Sequence, residues 1–168
     1  HEPSQRWVMV LWVKLKPGKV RFFTSTNLKD WAVASDLDRD WAFECMDLFF
    51  APVDGDTNKT KCVIYDASFD YEIGTFDGKT FTSETGPRKQ GRGNFYAAQT
   101  FNNAPGGRTV QIGWMNGGPN AATQYGVPFN QQMAFPCDLT VYSAPDGLRL
   151  RVWPIKEIET LAGDTKII

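Results

Sequence analysis

The chain holds a single histidine, at position 1, and three cysteines, Cys45, Cys62 and Cys137, with no CxxC or Cys/His spacing among them. A structural zinc site needs such ligands in close-spaced sets, and a His-based nucleophile triad needs an internal imidazole, so both are disfavoured. An odd cysteine count without tight spacing fits a reducing compartment and equally leaves room for one disulfide and one free thiol; the compartment stays open. No apolar run approaches the roughly 20 residues that span a bilayer, and the start from His1 to Trp7 has neither the charged nor the apolar region of a signal peptide. The chain therefore reads as soluble, with no membrane partner. Net charge is −1 and the 18 basic residues are scattered rather than striped, which leaves no electrostatic footprint for nucleic acid. There is no glycine-rich phosphate loop either, and neither cofactor nor metal is expected.

What the sequence does have is aromatics, 14% of 168 residues with six Trp among them, which fill a β-rich core or offer flat apolar faces to sugar rings. Apolar residues recur with period two or in short runs, punctuated by Pro-Gly and Asp-Gly steps that favour tight turns. Strands are expected over Trp7 to Lys14, Val20 to Ser25, from near Trp31, and over Leu48 to Val53, Lys61 to Asp66 and Tyr71 to Phe76. Further ones are expected over Phe95 to Phe101, Thr109 to Met115, Leu139 to Ser143 and Leu148 to Trp153. The first is apolar on both faces and reads as a central strand. Only Ile155 to Leu161 looks helical, with Ile155, Ile158 and Leu161 on one face and Gly163 placed as a C-cap. Trp7, Trp12 and Trp153 are assigned to packing.

About ten short strands and no long helix leave a sandwich, a barrel or part of a propeller. A weak internal echo bears on the choice. The runs Thr24 to Trp31 and Gly74 to Phe81 each read strand, polar turn, aromatic anchor, with Trp31 and Phe81 fifty positions apart, and propeller blades repeat at roughly 40 to 50 residues. A third such turn, Ser143 to Gly147, is more loosely spaced.

Among the carboxylates, Glu44 is the most unusual. It lies in Ala42-Phe43-Glu44-Cys45-Met46, an apolar setting in which a carboxyl group would hold its proton toward neutrality, as a general acid acting on a glycosidic oxygen must. The same pattern also fits a bulge or edge with the carboxylate in water. Asp47 is either a second site carboxylate or a cap for the turn into Leu48-Phe49-Phe50.

The segment Phe43-Glu44-Cys45-Met46-Asp47-Leu48-Phe49 resembles the Glu-Cys-Pro-Asp-Leu-Phe motif of glycoside hydrolase family 32, the levanases, inulinases and invertases. Tyr71 to Gly78, Phe95 to Phe101, Ile112 to Met115, Pro128 to Met133 and Leu148 to Pro154 resemble later family segments, in family order across nearly the whole chain. The resemblance implies an all-β fold of antiparallel blades from a partial five-bladed β-propeller over residues 1–154, roughly half of that ring, with 155–168 a short helical linker or tail. It also implies hydrolysis of β-fructosidic bonds with retention, with Glu44 as acid/base and a fructose-containing oligo- or polysaccharide as partner. Asp47, Phe95, Tyr96, Gln99 and Trp114 are candidates for the sugar pocket: aromatic faces for the C–H side of a furanose, an amide for its hydroxyls.

The family's Asn-Asp-Pro-Asn nucleophile motif and its Arg-Asp-Pro motif do not occur in the sequence. Asp38-Arg39-Asp40-Trp41 lacks the proline and follows the wrong strand, so no role passes to Asp40. Met46 stands where the family has Pro, which loosens that turn, and Lys89 to Gly93 is basic and flexible where the family has an acidic residue. The chain reads as a fragment or processed piece, starting just after the Arg-Asp-Pro position and ending before a C-terminal β-sandwich. Uncovered blade faces and strand edges would be closed by a homo-oligomer or a complementing chain. Alternatively, it is an inactive propeller fragment that self-associates and at most binds carbohydrate.

Overall fold

The computed structural model of the chain describes residues 1–90, 93–101, 103–117 and 121–163. Gly91 and Arg92 of the basic loop, and the last five residues of the tail, lie outside them. Three antiparallel units follow one another. The first is a meander of β1 (Trp7–Val13), β2 (Lys19–Ser25) and β3 (Ala32–Asp38), with β2 in the middle. In the second, β4 (Asp47–Val53), β5 (Asp56–Tyr65), β6 (Asp70–Phe76) and β7 (Phe81–Ser83) pair in sequence, and β8 (Arg88–Lys89) adds to β6. The third joins β9 (Tyr96–Thr100), β10 (Val110–Met115), β12 (Cys137–Ala144) and β13 (Gly147–Pro154), with β11 (Gln132–Met133) on β10 and the short helix α1 (Ala121–Tyr125) before it.

The internal echo is a repeated turn. Asn27 Oδ1 accepts the N–H groups of Lys29 and Asp30, both at 2.9 Å, where β2 passes into β3. Fifty positions on, Asp77 Oδ1 accepts those of Lys79 and Thr80 at 2.8 and 2.7 Å, where β6 passes into β7. One short side chain replaces the backbone's own turn bonds in both units.

The second half of β5, in the middle unit, is buried on both faces. Cys62, Val63, Ile64 and Tyr65 are each at most 1% exposed. Because side chains alternate along a strand, Cys62 and Ile64 join Val20, Phe22, Phe76 and Phe81 in a core toward the first unit, while Val63 and Tyr65 join Phe69, Ile73, Leu139, Val141 and Leu150 in a core toward the third. Polar clasps close each seam. Arg39 donates to both oxygens of buried Glu72 at 2.7 and 3.1 Å, and the Trp41 indole donates to the same carboxylate at 2.6 Å. On the other side, the N–H and hydroxyl of Ser143 donate to Asp54 at 3.0 and 2.7 Å, beside the single parallel pair Val53 and Val141.

Three expectations need correction. The strand over Trp7 to Val13 is not central: β1 lies at the edge of its sheet, with Trp7 54% and Leu11 42% exposed. An apolar pattern says which faces seek cover, not whether a neighbour covers them. For the same reason Trp7 and Trp153 (70% exposed) are not packing residues in this chain, whereas Trp12 packs on the first core and on the Phe43 ring at 5.1 Å. The segment expected as a helix from Ile155 is a 3₁₀ turn over Lys156–Leu161, capped at Ala162 rather than at Gly163. Apolar residues spaced by three match the 3₁₀ repeat as well as the α repeat. Three short strands, β7, β8 and β11, also escaped the periodicity, being too brief to show one.

Candidate active site

The connection from the first to the second unit carries Glu44. Ala42 and Met46 are buried in the first core at 5% and 8% exposure, while Phe43, Glu44 and Cys45 between them are exposed. The apolar neighbours therefore anchor the ends of a projecting turn and do not bury the carboxylate. Met46, standing where the family has Pro, contributes its side chain to that anchoring. Glu44 and Cys45 both take left-handed backbone angles, φ 44° and 34°, at a cost of about 1–2 kcal/mol each for residues with a Cβ. Three hydrogen bonds from outside the turn hold it: Phe43 N–H to Asp66 Oδ2 at 3.1 Å, Ala67 N–H to the Phe43 carbonyl at 3.0 Å, and Gln99 Nε2 to the Cys45 carbonyl at 3.1 Å.

The third unit supplies the opposite wall. Tyr96 on β9 and Trp114 on β10 stand directly across from each other, with ring centroids 6.3 Å apart in an edge-to-face arrangement. A bulge between Ile112 and Trp114 sets this register. Gly113 sits at the bulge, and a Cβ there would lie 2.5 Å from the Phe95 ring, so glycine is what lets Phe95 fold inward beneath it. The Tyr96 hydroxyl donates to Glu44 Oε2 at 2.7 Å. Its phenol is pushed up to about 12, by burial first and then by the bond to the Glu44 carboxylate and its charge, so it stays a donor.

The sequence candidates thus separate. Glu44, Tyr96, Trp114 and Gln99 are brought to one stretch of surface. Phe95 is not; its ring packs on Phe69 at 5.6 Å against the second core. Asp47 is occupied structurally: its carboxylate accepts the Tyr65 hydroxyl at 2.7 Å, the Thr100 N–H and hydroxyl at 2.6 and 2.9 Å, and the Leu48 N–H at 2.7 Å. That ties β4, β5 and β9 together. Burial, with the Asp47 charge beside it, raises the Tyr65 phenol far above its ordinary range. Asp66, missed in the sequence, closes the turn from below; the available signal was an acid directly after the wholly apolar run Cys62 to Tyr65. The three cysteines are free thiols. Among the described residues no group of three or more His, Cys, Asp or Glu is placed to hold a metal ion. The surface presents one exposed carboxylate beside a phenol and an indole ring. Gln99 Nε2 donates to the Cys45 and Ala98 carbonyls at 3.1 and 2.8 Å, which leaves its Oε1 as the free end of the amide.

The chain is similar to known proteins over most of its length. Residues 1–154 match the family model of the glycosyl hydrolases family 32 N-terminal domain. The levanase of Bacillus subtilis (strain 168) is 32% identical over 188 aligned positions, covering 99% of this chain and 27% of the levanase. The extracellular exo-inulinase of Aspergillus niger is 31% identical, covering 84% of this chain and 30% of that protein. Among solved structures, the exo-inulinase of Aspergillus awamori superposes with a TM-score of 0.76 at 29% identity, over 92% of this chain and 34% of that one. Fructan 1-exohydrolase IIa of Cichorium intybus, solved with 1-kestose, has the same fold, with a TM-score of 0.78 at 21% identity over 96% of this chain and 35% of that one. The three units are antiparallel blades of a β-propeller, and the chain spans about a third or less of the relatives it matches.

Proposed function

This chain belongs to glycosyl hydrolase family 32, and on that premise we propose that it carries the acid/base half of a retaining β-fructosidase site acting on sucrose or fructans, with Glu44 as the proton donor. The observation that carries the reading is the 2.7 Å bond from Tyr96 to Glu44, which orients an exposed carboxyl group on the surface that Trp114 shares. In the first step the Glu44 proton passes to the glycosidic oxygen as its bond to the anomeric carbon breaks and a carboxylate oxygen bonds to that carbon. In the second, Glu44 takes a proton from water as the water oxygen displaces the carboxylate and fructose leaves. The Tyr96 and Gln99 oxygens accept sugar hydroxyls, their own donors being spent on Glu44, Cys45 and Ala98, and Trp114 supports the ring.

The nucleophilic carboxylate has no evident source in these residues. Asp47 is saturated with four donors and Asp66 lies 1% exposed under the turn. We therefore assign the nucleophile to polypeptide outside the described residues. The open edge of β1 and the exposed rings of Trp7 and Trp153 favour closure by a second copy or a complementing chain; light scattering reads this directly, and a monomer at micromolar concentration removes it. In this reading residues 1–154 are propeller and 155–168 a linker or tail. The saturation of Asp47 also favours the second reading, an inactive piece that binds carbohydrate. Fructose release from sucrose, inulin and levan by the purified chain, with Glu44→Gln beside it, decides between them. Lacking a nucleophile, the chain alone is expected to release none. Release that appears once a complementing chain is added, and that Glu44→Gln abolishes, is the expected result. Release that survives the substitution removes Glu44 from the chemistry, and none with a complementing chain leaves binding alone.

A further inference from the structure

The scheme above gives no task to the buried carboxylate of Asp66. It follows β5 at 1% exposure, and its Oδ1 accepts the N–H groups of Ser68 and Asp70 at 2.9 Å each while its Oδ2 takes that of Phe43 at 3.1 Å. The next residue continues the contact: Ala67 N–H donates to the Phe43 carbonyl at 3.0 Å, and its own carbonyl accepts the Ala97 N–H at 2.8 Å. Phe43 precedes Glu44 and Ala97 follows Tyr96. Both partners of the 2.7 Å bond at the site are therefore hung, one residue away, from the same Asp66-Ala67 step. Ala97 shares the left-handed backbone of Glu44, at φ 50° against 44°, so both segments hold a conformation that needs outside support.

We infer that Asp66 is the positioning residue of the site: it fixes the Phe43–Cys45 turn and, through Ala67, the Tyr96 segment, so that phenol and carboxylate meet. The inference rests on the reading of Glu44 as proton donor, but its geometry is independent of turnover. The groups around it are specific. Asp70 on β6 faces it as a like charge, partly offset by Lys89 on β8 at 3.6 Å from Asp70, and Tyr96 on β9 feels its charge. Burial raises the Asp66 carboxyl to about 6, with the Asp70 charge adding and the three backbone donors opposing. Protonation turns one acceptor oxygen into a donor, and that oxygen already faces an N–H.

The test is a pH titration of the whole chain by NMR, following the amides of Phe43, Ser68 and Asp70, the Glu44 carboxyl carbon and the Tyr96 ring, in wild type and Asp66→Asn. The expected result is one shared step near pH 6 in all five signals, absent in the variant. A Phe43 amide without that step overturns the assignment, as does a step that leaves Glu44 and Tyr96 unmoved, since a purely structural carboxylate would titrate silently to them. The wild-type titration decides even if Asp66→Asn does not fold. Fructose release with a complementing chain supplying the nucleophile separates the two readings: kcat lower by about 10- to 100-fold with KM unchanged is expected in the variant. A shared step without release from either protein in the presence of the complementing chain keeps the positioning and removes the proton-donor reading.

Discussion

The interior of the middle blade and the turn that leads into it treat their carboxylates in opposite ways. Inside, Glu72 receives three donor groups from Arg39 and Trp41, and Asp47 receives four from Tyr65, Thr100 and Leu48. On the turn, Glu44 is exposed and receives the Tyr96 hydroxyl. A carboxylate whose lone pairs are filled by protein holds strands together and has none left for a ligand. One that is oriented but not filled remains available to a substrate. Side-chain identity does not distinguish the two, since Glu44 and Asp47 share one motif; the donors brought to each do.

The sharpest way to break the interior is Arg39→Ala. It leaves Glu72 charged at 1% exposure with the Trp41 indole beside it, and stranding a buried charge costs about 3–5 kcal/mol. Urea unfolding should show an unfolding free energy lower by that amount, with the seam between the first and second blades opening first in hydrogen exchange at β2 and β6. Asp47→Ala comes next. It deprives the Tyr65 hydroxyl, at 0% exposure, and the Thr100 N–H of their acceptor, a loss of roughly 2–3 kcal/mol. A change below about 0.5 kcal/mol would mean that water replaces the carboxylate, and that Asp47 is free enough to touch a sugar after all.

Much of the blade pattern was legible because it is local. Alternation located ten of the strands, and the polar turns before Trp31 and Phe81 marked an equivalence that the bonds of Asn27 and Asp77 carry in the structure. The site was legible only through its motifs. What was not legible depends on distance along the chain. Thr100 reaches Asp47 across 53 positions and Tyr96 reaches Glu44 across 52, and no periodicity encodes such pairs. The exposure of Glu44 stayed open for a related reason. Ala42 and Met46 fit an apolar pocket around Glu44 and equally an edge with the carboxylate in water. The exposed position that is found goes with left-handed angles at Glu44 and Cys45, and that turn is held by Asp66 and Gln99 from elsewhere in the chain.

The smallest expected effect is also the one that most sharpens the contrast. Glu44→Gln keeps the length of the side chain and an oxygen that can accept the Tyr96 hydroxyl, and it buries nothing new because the position is exposed. Its stability should lie within about 0.5 kcal/mol of wild type, so that urea curves for the two proteins overlay. Any fructose release should nonetheless vanish, because an amide has no proton to give to a departing oxygen. If Glu44→Gln instead destabilised the chain as Asp47→Ala is expected to, the turn would be a strut like the interior, and the division between filled and available carboxylates would fail at the residue for which it matters most.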